Sequence, residues 1–370
     1  MYTRLNKNLQ ILLVGPMEIP IPNEKGAVEE IIWQLSRRLK AFAEVYVYNP
    51  IARHKFHKAI KGLRLLIREH GLIIHSHNLY ATLPITLMCQ KINHVFTLHF
   101  SPFATKSERV REIFIYAFKY LDIKGTIITV PSWYIKEQLK YRGIRRTVFI
   151  PNGVDVATFN PAKRNDELRE KLLDGKDVLI VSVGRIHPNK NQLALIMALN
   201  TLVNNHGYKN TKLVLIGPTS GTFSKSGENT YYRLLVEYIQ KHELKPYVTF
   251  VELQRKEEVA RFLASSDIYV HPSKVEAAPL AVLEAMASKL PIIAFDLPYY
   301  KGYLINKFNS ILVRYNNISD LAEALRILHE DYNLRLRLSQ NAYNMATRYF
   351  SWDSVARQHM ELYLSLVENE

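Results

Sequence analysis

At 370 residues the chain is too long for one ordinary hydrophobic core and suits two domains. An apolar share of 48 % supplies real cores, and the lack of low-complexity tracts excludes a disordered chain. Lys and Arg number 49 against 34 Asp and Glu, and the net charge of +15 attracts polyanions: nucleic acid, an acidic membrane surface or phosphorylated small molecules.

The opening MYTRLNKNLQ has no basic-then-apolar signal pattern, and no apolar run reaches the roughly 18 residues that span a bilayer. Short apolar, β-branched runs then recur: LQILLVG at 9–15, VYVYN at 45–49, LIIHSH at 72–77, HVFTLH at 94–99, TIITV at 126–130 and VFIPNGV at 148–154. Most are near-continuously apolar, which predicts parallel strands covered on both faces. Helical periodicity lies between them. Val28, Ile31, Ile32, Leu35 and Leu39 form one stripe over 28–42, and 54–69 and 107–120 read similarly. The single cysteine, Cys89, excludes an intrachain disulfide framework and a cysteine metal cluster, and fits a reducing cytoplasm.

The segment 151–177, with PNGVDVATFNPAKRN, reads as a boundary, and after it the pattern restarts. Strands are expected at 178–184, 211–217, 248–252, 268–273, 291–296 and 310–313, with helices at 190–204, 228–241, 256–264 and 279–288. The segment 319–370 looks wholly helical, and its part from about Ser351 is expected to cross back to the first domain. Strand–helix alternation in two sets predicts an α/β protein of two doubly wound, Rossmann-like domains, 1–155 and 156–350, facing a central cleft. Ligands of such sheets bind at the carboxyl ends of the strands.

The strongest local signal is Gly184-Arg185-Ile186-His187-Pro188-Asn189-Lys190, where a strand gives way to a helix. Gly184 lets the backbone turn closely. Arg185 and Lys190 put two cations beside a helix N-terminus, whose free N–H groups and dipole already favour anions. A diphosphate suits that place, since Arg forks onto phosphate oxygens and Lys adds a point charge. A solvated loop with two surface cations is the competing reading. The second signal is Glu276-Ala-Ala-Pro-Leu-Ala-Val-Leu-Glu284, again after a strand. Pro279 suits a first helical turn, the amides near Ala278 and Leu280 make a second anion-binding helix start, and two carboxylates suit a hydroxyl-rich ligand. A helix-capping acid and a surface Glu would look the same.

Histidines His75, His77 and His99 stand at strand ends of the first half. A metal could hold His75 and His77, but strand alternation alone puts both on one face. No D-x-D pair exists in the chain, so no metal is expected, and Arg185 with Lys190 would carry the counter-charge. Gly26-Ala27, opening the first helix, allows a close backbone approach to phosphate or acceptor, or is a plain helix start. Basic residues gather in the first half at Arg53, Lys55, Lys58, Lys61, Arg64 and Arg68, then at Lys136, Lys140, Arg142, Arg145 and Arg146. With Phe56, Tyr134 and Tyr141 interleaved they suggest docking on an anionic membrane, or a solvated basic face. No nucleic-acid-binding module accompanies the charge.

Taken together, VGPMEIPIPNEKGAVEEIIWQLSRRL, PNGVDVATFNP, VGRIHPNKNQLALIMAL, HPSKVEAAPLAVLEAMASKLPIIAFD and FSWDSVARQHMELY resemble the retaining GT-B glycosyltransferases of the large family numbered 4, over most of the chain. The resemblance implies transfer of a sugar from a UDP-, GDP- or ADP-sugar to a glycan or a polyprenyl- or lipid-linked acceptor, with no further cofactor. The single cysteine, the lack of a bilayer-spanning run and the basic first half lead one to expect a cytoplasmic enzyme, at most peripheral on the inner face of the membrane. By the same resemblance Arg185 and Lys190 grip the donor diphosphate, with Gly184 beside them. Glu276 meets the sugar hydroxyls and Glu284 the ribose. Ala278 and Leu280 offer amides to phosphate, His99 lies near the transferred sugar, and Gly26 approaches phosphate or acceptor. The chain departs from the family at Ala277-Ala278-Pro279-Leu280, where Gly-Phe-Gly-Leu is common, and at Lys289, where Gly usually precedes Leu-Pro. It departs again at Pro298-Tyr299-Tyr300-Lys301-Gly302, where a Gly-Gly-x-x-Glu loop is usual, and at Ala27, where a second Gly is usual. A nucleotide-sugar epimerase or phosphorolytic enzyme of the same fold, a glycosidase and a non-catalytic carbohydrate-binding protein are the alternatives.

Overall fold

The structure, a computed structural model, describes residues 9–16, 21, 26–49, 72–88, 93–105, 107–219, 230–252, 254–276 and 280–368. The expected helix at 54–69, the basic residues Arg53 to Arg68, and Ala278 with Pro279 lie outside the described residues. The chain forms two compact units, Met1–Gly153 with Trp352–Glu370, and Val154–Ser351.

In the first unit six parallel strands, β1 (Gln10–Val14), β2 (Glu44–Tyr48), β3 (Leu72–Ser76), β4 (Asn93–Thr97), β5 (Ile127–Val130) and β6 (Thr147–Phe149), lie in the order β2-β1-β3-β4-β5-β6. The central strand β3 is buried along its whole length, its polar His75 and Ser76 included, whereas the edge strand β2 alternates tyrosines and valines and is largely exposed. Helix α1 (Ala27–Leu39) buries Ile31, Ile32, Leu35 and Leu39, the stripe legible in the sequence. Helices α2 (Leu79–Met88), α3 (Glu108–Ile123) and α4 (Trp133–Tyr141) complete the described part of the layer from this segment. Neither α2 nor α4 is announced by periodicity: α2 is apolar all round and contains Pro84, and α4 has only nine residues.

The second unit holds β7 (Val178–Val183), β8 (Thr211–Ile216), β9 (Val248–Val251), β10 (Ile268–His271), β11 (Ile292–Phe295) and β12 (Ser310–Val313), all parallel, in the order β12-β11-β10-β7-β8-β9. The segment read as a boundary contains a helix, α5 (Asp166–Leu173). Asn165 caps its start by accepting from Leu168 N at 2.7 Å, and Asp174 ends it in a left-handed turn. Next come α6 (Gln192–Asn200), continued by a π-type turn to Asn205, then α7 (Thr230–Lys241), α8 (Lys256–Ala264) and α9 (Leu280–Ala287). The helical tail is three helices, α10 (Ile318–Glu330), α11 (Tyr332–Tyr349) and α12 (Trp352–Val367), with Asp331 capping α11. Ala356, Met360 and Tyr363 of α12 pack with Ile32, Leu35 and Leu39 of α1, which ties the last helix into the first unit's core.

Candidate functional site

In the second unit the neighbouring strands β7, β10 and β11 end on the same side of a parallel sheet, so the loops that follow them gather there. The β7 loop is fixed by its backbone: Gly184 N donates to Ile216 O at 2.9 Å and Ile186 N to Pro218 O at 3.3 Å. Gly217, at φ 153°, lies so close that a Cβ there would sit 2.2 Å from the Gly184 carbonyl oxygen. Further along, Gln192 Nε2 donates to Arg185 O at 2.8 Å, and Lys274 N from the β10 loop donates to Asn189 O at 2.8 Å. Arg185 is exposed, and the stem of Lys190 runs past Gly184, where an added Cβ would touch its Cδ at 3.6 Å. His187 is pulled below its ordinary range by burial and by the charges of Arg185 and Lys190, so both cations act on this one loop.

Glu276, in the β10 loop, meets that loop from the other side. Its Oε1 accepts from Lys190 Nζ at 2.5 Å and from His271 Nε2 at 2.8 Å. Among the described residues no donor reaches Oε2. Burial alone would push this carboxyl up, but the His271 hydrogen bond and the Lys190 charge outweigh it and hold it at about 2. Burial also lowers His271, despite the carboxylate beside it, so the imidazole is neutral at pH 7. The ionised carboxylate only accepts, so Nε2 of His271 carries the hydrogen and Nδ1 is the acceptor. The Tyr269 hydroxyl, 3.0 Å from Nδ1, therefore donates to it. Tyr300, 1 % exposed at the end of the β11 loop, sets its ring at 81° to His271 with centroids 6.1 Å apart, and its hydroxyl has no partner among the described residues. The arrangement presents a cation and a pre-ionised carboxylate side by side at the strand ends.

Lys190 and Glu276 thus meet, and the junction that carries Gly184 and Arg185 is joined to the Glu276 loop. Leu280 opens α9, and Glu284 stands one turn in, close enough to add to the burial that raises the Tyr269 phenol. Gly26 lies in the first unit as the N-cap of α1, and the space over it is taken by the Glu29 carboxylate, 1.9 Å from where a Cβ would stand. His99 also lies in the first unit, at the end of β4, with Nε2 2.9 Å from His77 Nδ1 and a pKa drawn down to about 4 by desolvation and by His359. His75 and His77 share a face, with ring centroids 4.2 Å apart, but both nitrogens of His75 are engaged, by Tyr363 and Thr97 at 2.6 Å each. Among the described residues no group of three or more His, Cys, Asp or Glu is placed to hold a metal ion. Sequence reasoning passed over Tyr269, His271 and Tyr300. Their one signal was Tyr269 and His271 two apart on a strand running into the Glu276 loop, which puts both on one face.

Two family models match the chain: Glycosyl transferases group 1 over residues 163–345 and Glycosyltransferase Family 4 over residues 22–158. The chain belongs to this glycosyltransferase family. It is 27 % identical over 371 aligned positions to the UDP-Gal:alpha-D-GlcNAc-diphosphoundecaprenol alpha-1,3-galactosyltransferase of Escherichia coli, covering 95 % of this chain and 92 % of that one. A D-inositol 3-phosphate glycosyltransferase of Nocardia farcinica is 26 % identical over a shorter stretch, 58 % of this chain and 46 % of its own. Among solved structures, HepE of Anabaena in complex with UDP superposes with a TM-score of 0.78 at 18 % identity, covering 96 % of this chain and all of that one (100 %). The sucrose-phosphate synthase of Thermosynechococcus elongatus gives 0.76 at 20 % identity, over 98 % and 100 % of the two chains. The fold of this glycosyltransferase is GT-B, with one parallel six-stranded sheet in each unit.

Proposed function

We propose that this glycosyltransferase moves a hexose from a UDP-sugar to a lipid-linked glycan with retention of anomeric configuration. The observation that carries the reading is the meeting of Lys190 and Glu276 at 2.5 Å, which sets a phosphate-binding cation beside a carboxylate suited to sugar hydroxyls. Arg185 and Lys190 stabilise the charge that grows on the leaving diphosphate, an electrostatic role that supplies counter-charge from side chains. Glu276 orients the sugar, and Glu284 takes the ribose. The amides of Ala278 and Leu280 serve the donor phosphates. The acceptor oxygen bonds to the anomeric carbon as the bond from that carbon to the diphosphate breaks, on the same face, and the acceptor proton passes to a diphosphate oxygen. Uridine is favoured because the E. coli relative is named for UDP-Gal and HepE holds UDP. That relative's name also places its sugar on a diphosphoundecaprenol carrier, which supports a lipid-linked acceptor.

Work at the cytoplasmic face of an anionic membrane belongs to the same proposal. Helix α3 turns Ile113, Tyr116 and Ile123 outward at 59 %, 70 % and 81 % exposure, spaced as one stripe, with Arg109, Lys119 and Lys124 exposed around them. No helix of the described residues is long and apolar enough to cross a membrane.

A thermal-shift screen of UDP-, GDP- and ADP-sugars tests the donor reading, since a ligand of the native state raises apparent stability by about 2.7 kcal/mol at a hundred times its Kd. UDP-sugars are expected to raise the melting temperature of the wild type, and R185A and K190A to blunt the response. A full response in both variants would remove the diphosphate assignment, and a changed sugar released without any acceptor would favour an epimerase.

A further inference from the structure

We infer that His271, backed by Tyr269, is a positioning residue for Glu276: it pins one carboxylate oxygen so that the other is presented to the transferred sugar. The inference rests on the donor reading above and assigns a role to two residues that reading does not use.

Both described donors to Glu276 converge on Oε1, Lys190 at 2.5 Å and His271 at 2.8 Å. The carboxylate is therefore held in one rotation, with Oε2 left for a ligand hydroxyl. The two donors differ in what a diphosphate does to them. Lys190 is part-exposed (26 %), and a bound diphosphate draws its charge toward phosphate. His271 is 2 % exposed and fixed in β10, so it stays. In the donor complex it becomes the anchor of Oε1. Its own orientation is set in turn by Tyr269, which is fully buried and reaches Nδ1 at 3.0 Å. The relay thus starts at Tyr269 within β10 and ends on the carboxylate of the β10 loop.

A structural role alone explains this poorly. Tyr, His and Glu side chains buried together at a strand end are replaceable by apolar groups of similar volume at little cost to stability, or with a gain. The directed chain instead fixes a tautomer and a carboxylate rotation, which is what preorganisation at a reacting sugar requires. The titratable groups that face the pair are Lys190 from the β7 loop, Tyr269 on β10, Tyr300 from the β11 loop, and Glu284 on α9, which acts on Tyr269.

The test compares binding of UDP with binding of UDP-galactose and UDP-N-acetylglucosamine by calorimetry, and release of UDP from those sugars, for the wild type, H271A, H271Q and Y269F between pH 5 and 8. The wild type is expected to show sugar-dependent affinity or turnover that is flat across this range. H271A should lose that sugar-dependent part by roughly tenfold to a hundredfold, the range of one hydrogen bond to a charged group, while its affinity for UDP stays within about twofold. Its remaining activity should fall toward pH 5, because the carboxylate has lost a partner that favours its charged form. H271Q keeps an N–H donor and should recover part of the loss, and Y269F should lose less than H271A in the same direction. If H271A does not fold, H271Q and Y269F decide. Variants with the wild type's sugar dependence and flat pH profile overturn the role of His271 and leave the donor site standing. A wild type that binds no UDP-sugar overturns the donor reading and this inference together.

Discussion

Lys190 Nζ lies 2.5 Å from Glu276 Oε1 although 86 residues separate them in the chain. The contact joins the loop after β7 to the loop after β10, strands that lie side by side in the sheet. It also gives the two residues different expected phenotypes. K190A should weaken nucleotide and nucleotide-sugar binding alike, because the lost cation faces the part they share. E276Q should keep UDP binding and lose sugar transfer by roughly tenfold to a hundredfold, the effect of removing a charged hydrogen-bond partner. Equal losses of UDP affinity in both variants, measured by calorimetry, would contradict this division.

Gly217 is expected to tolerate no side chain. Its φ of 153° and the Gly184 carbonyl oxygen 2.2 Å from a Cβ leave no room, and that oxygen is backbone and not the end of a flexible side chain. G217A should destabilise the second unit by about 2–4 kcal/mol and shift the Gly184–Lys190 loop. Urea unfolding of the variant measures this, and an unchanged midpoint would show that the close approach is absent.

At the end of α9 a lysine occupies a glycine position. Leu290 N donates to Ala285 O at 3.1 Å and Lys289 N to Met286 O at 3.0 Å, the two bonds of a Schellman turn, and Lys289 has φ 62°. An L-residue pays in sterics there, so K289G should stabilise the second unit by roughly 0.5–1 kcal/mol. That corresponds to a rise of about 1–4 °C in melting temperature for a unit of this size. A fall would mean that the lysine side chain makes a compensating contact.

Acid should loosen the first unit. Its buried histidines are held neutral, His94 at about 3 and His359 at about 4, chiefly by burial. The unfolded chain binds protons near pH 6.5 and the folded one does not, so the stabilisation is full above about pH 6.5. It is lost as pH falls and is gone below the folded values. Each group contributes on the order of 3 kcal/mol at neutral pH. Denaturant midpoints followed from pH 7 to 4.5 should drop steeply, and a flat profile would show that these imidazoles are solvated.

The α3 face carries the membrane proposal. I113D with Y116D replaces its two central apolar side chains by charges repelled from an anionic surface. Flotation with anionic liposomes should be lost in the double variant and retained in the wild type, with neutral liposomes binding neither. Absence of wild-type flotation on anionic liposomes would remove the membrane from the proposed function.

The glycosyltransferase fold was largely legible in the sequence because parallel strands buried on both faces and amphipathic helices leave local periodic traces. The strands β1, β3 and β7 to β12 and the stripe of α1 are read from residues a few positions apart. Helices α2, α4 and α5 were not: α2 is apolar all round and has no usable period, α4 buries only Ile135 and Leu139, and α5 buries Leu173 alone. Of the candidate site, Gly184, Arg185, Lys190, Glu276 and Glu284 stood out because glycine, cations and carboxylates at strand–helix junctions have a chemistry of their own. His271, Tyr269 and Tyr300 did not, since a buried aromatic in a strand or loop looks like core until its polar atom is seen to have a partner or to lack one.

By itself, then, the sequence determined the alternation of elements, the two sets of strands and the residue types waiting at their ends, all of which depend on neighbours along the chain. Only the tertiary structure decided that β10 lies beside β7, so that Lys190 and His271 reach one oxygen of Glu276, and that the last helix completes the core of the first unit. The reason is physical. Strand order and helix docking are selected by burying whole apolar faces, and that energy belongs to surfaces assembled from distant segments, with no local pattern to record it.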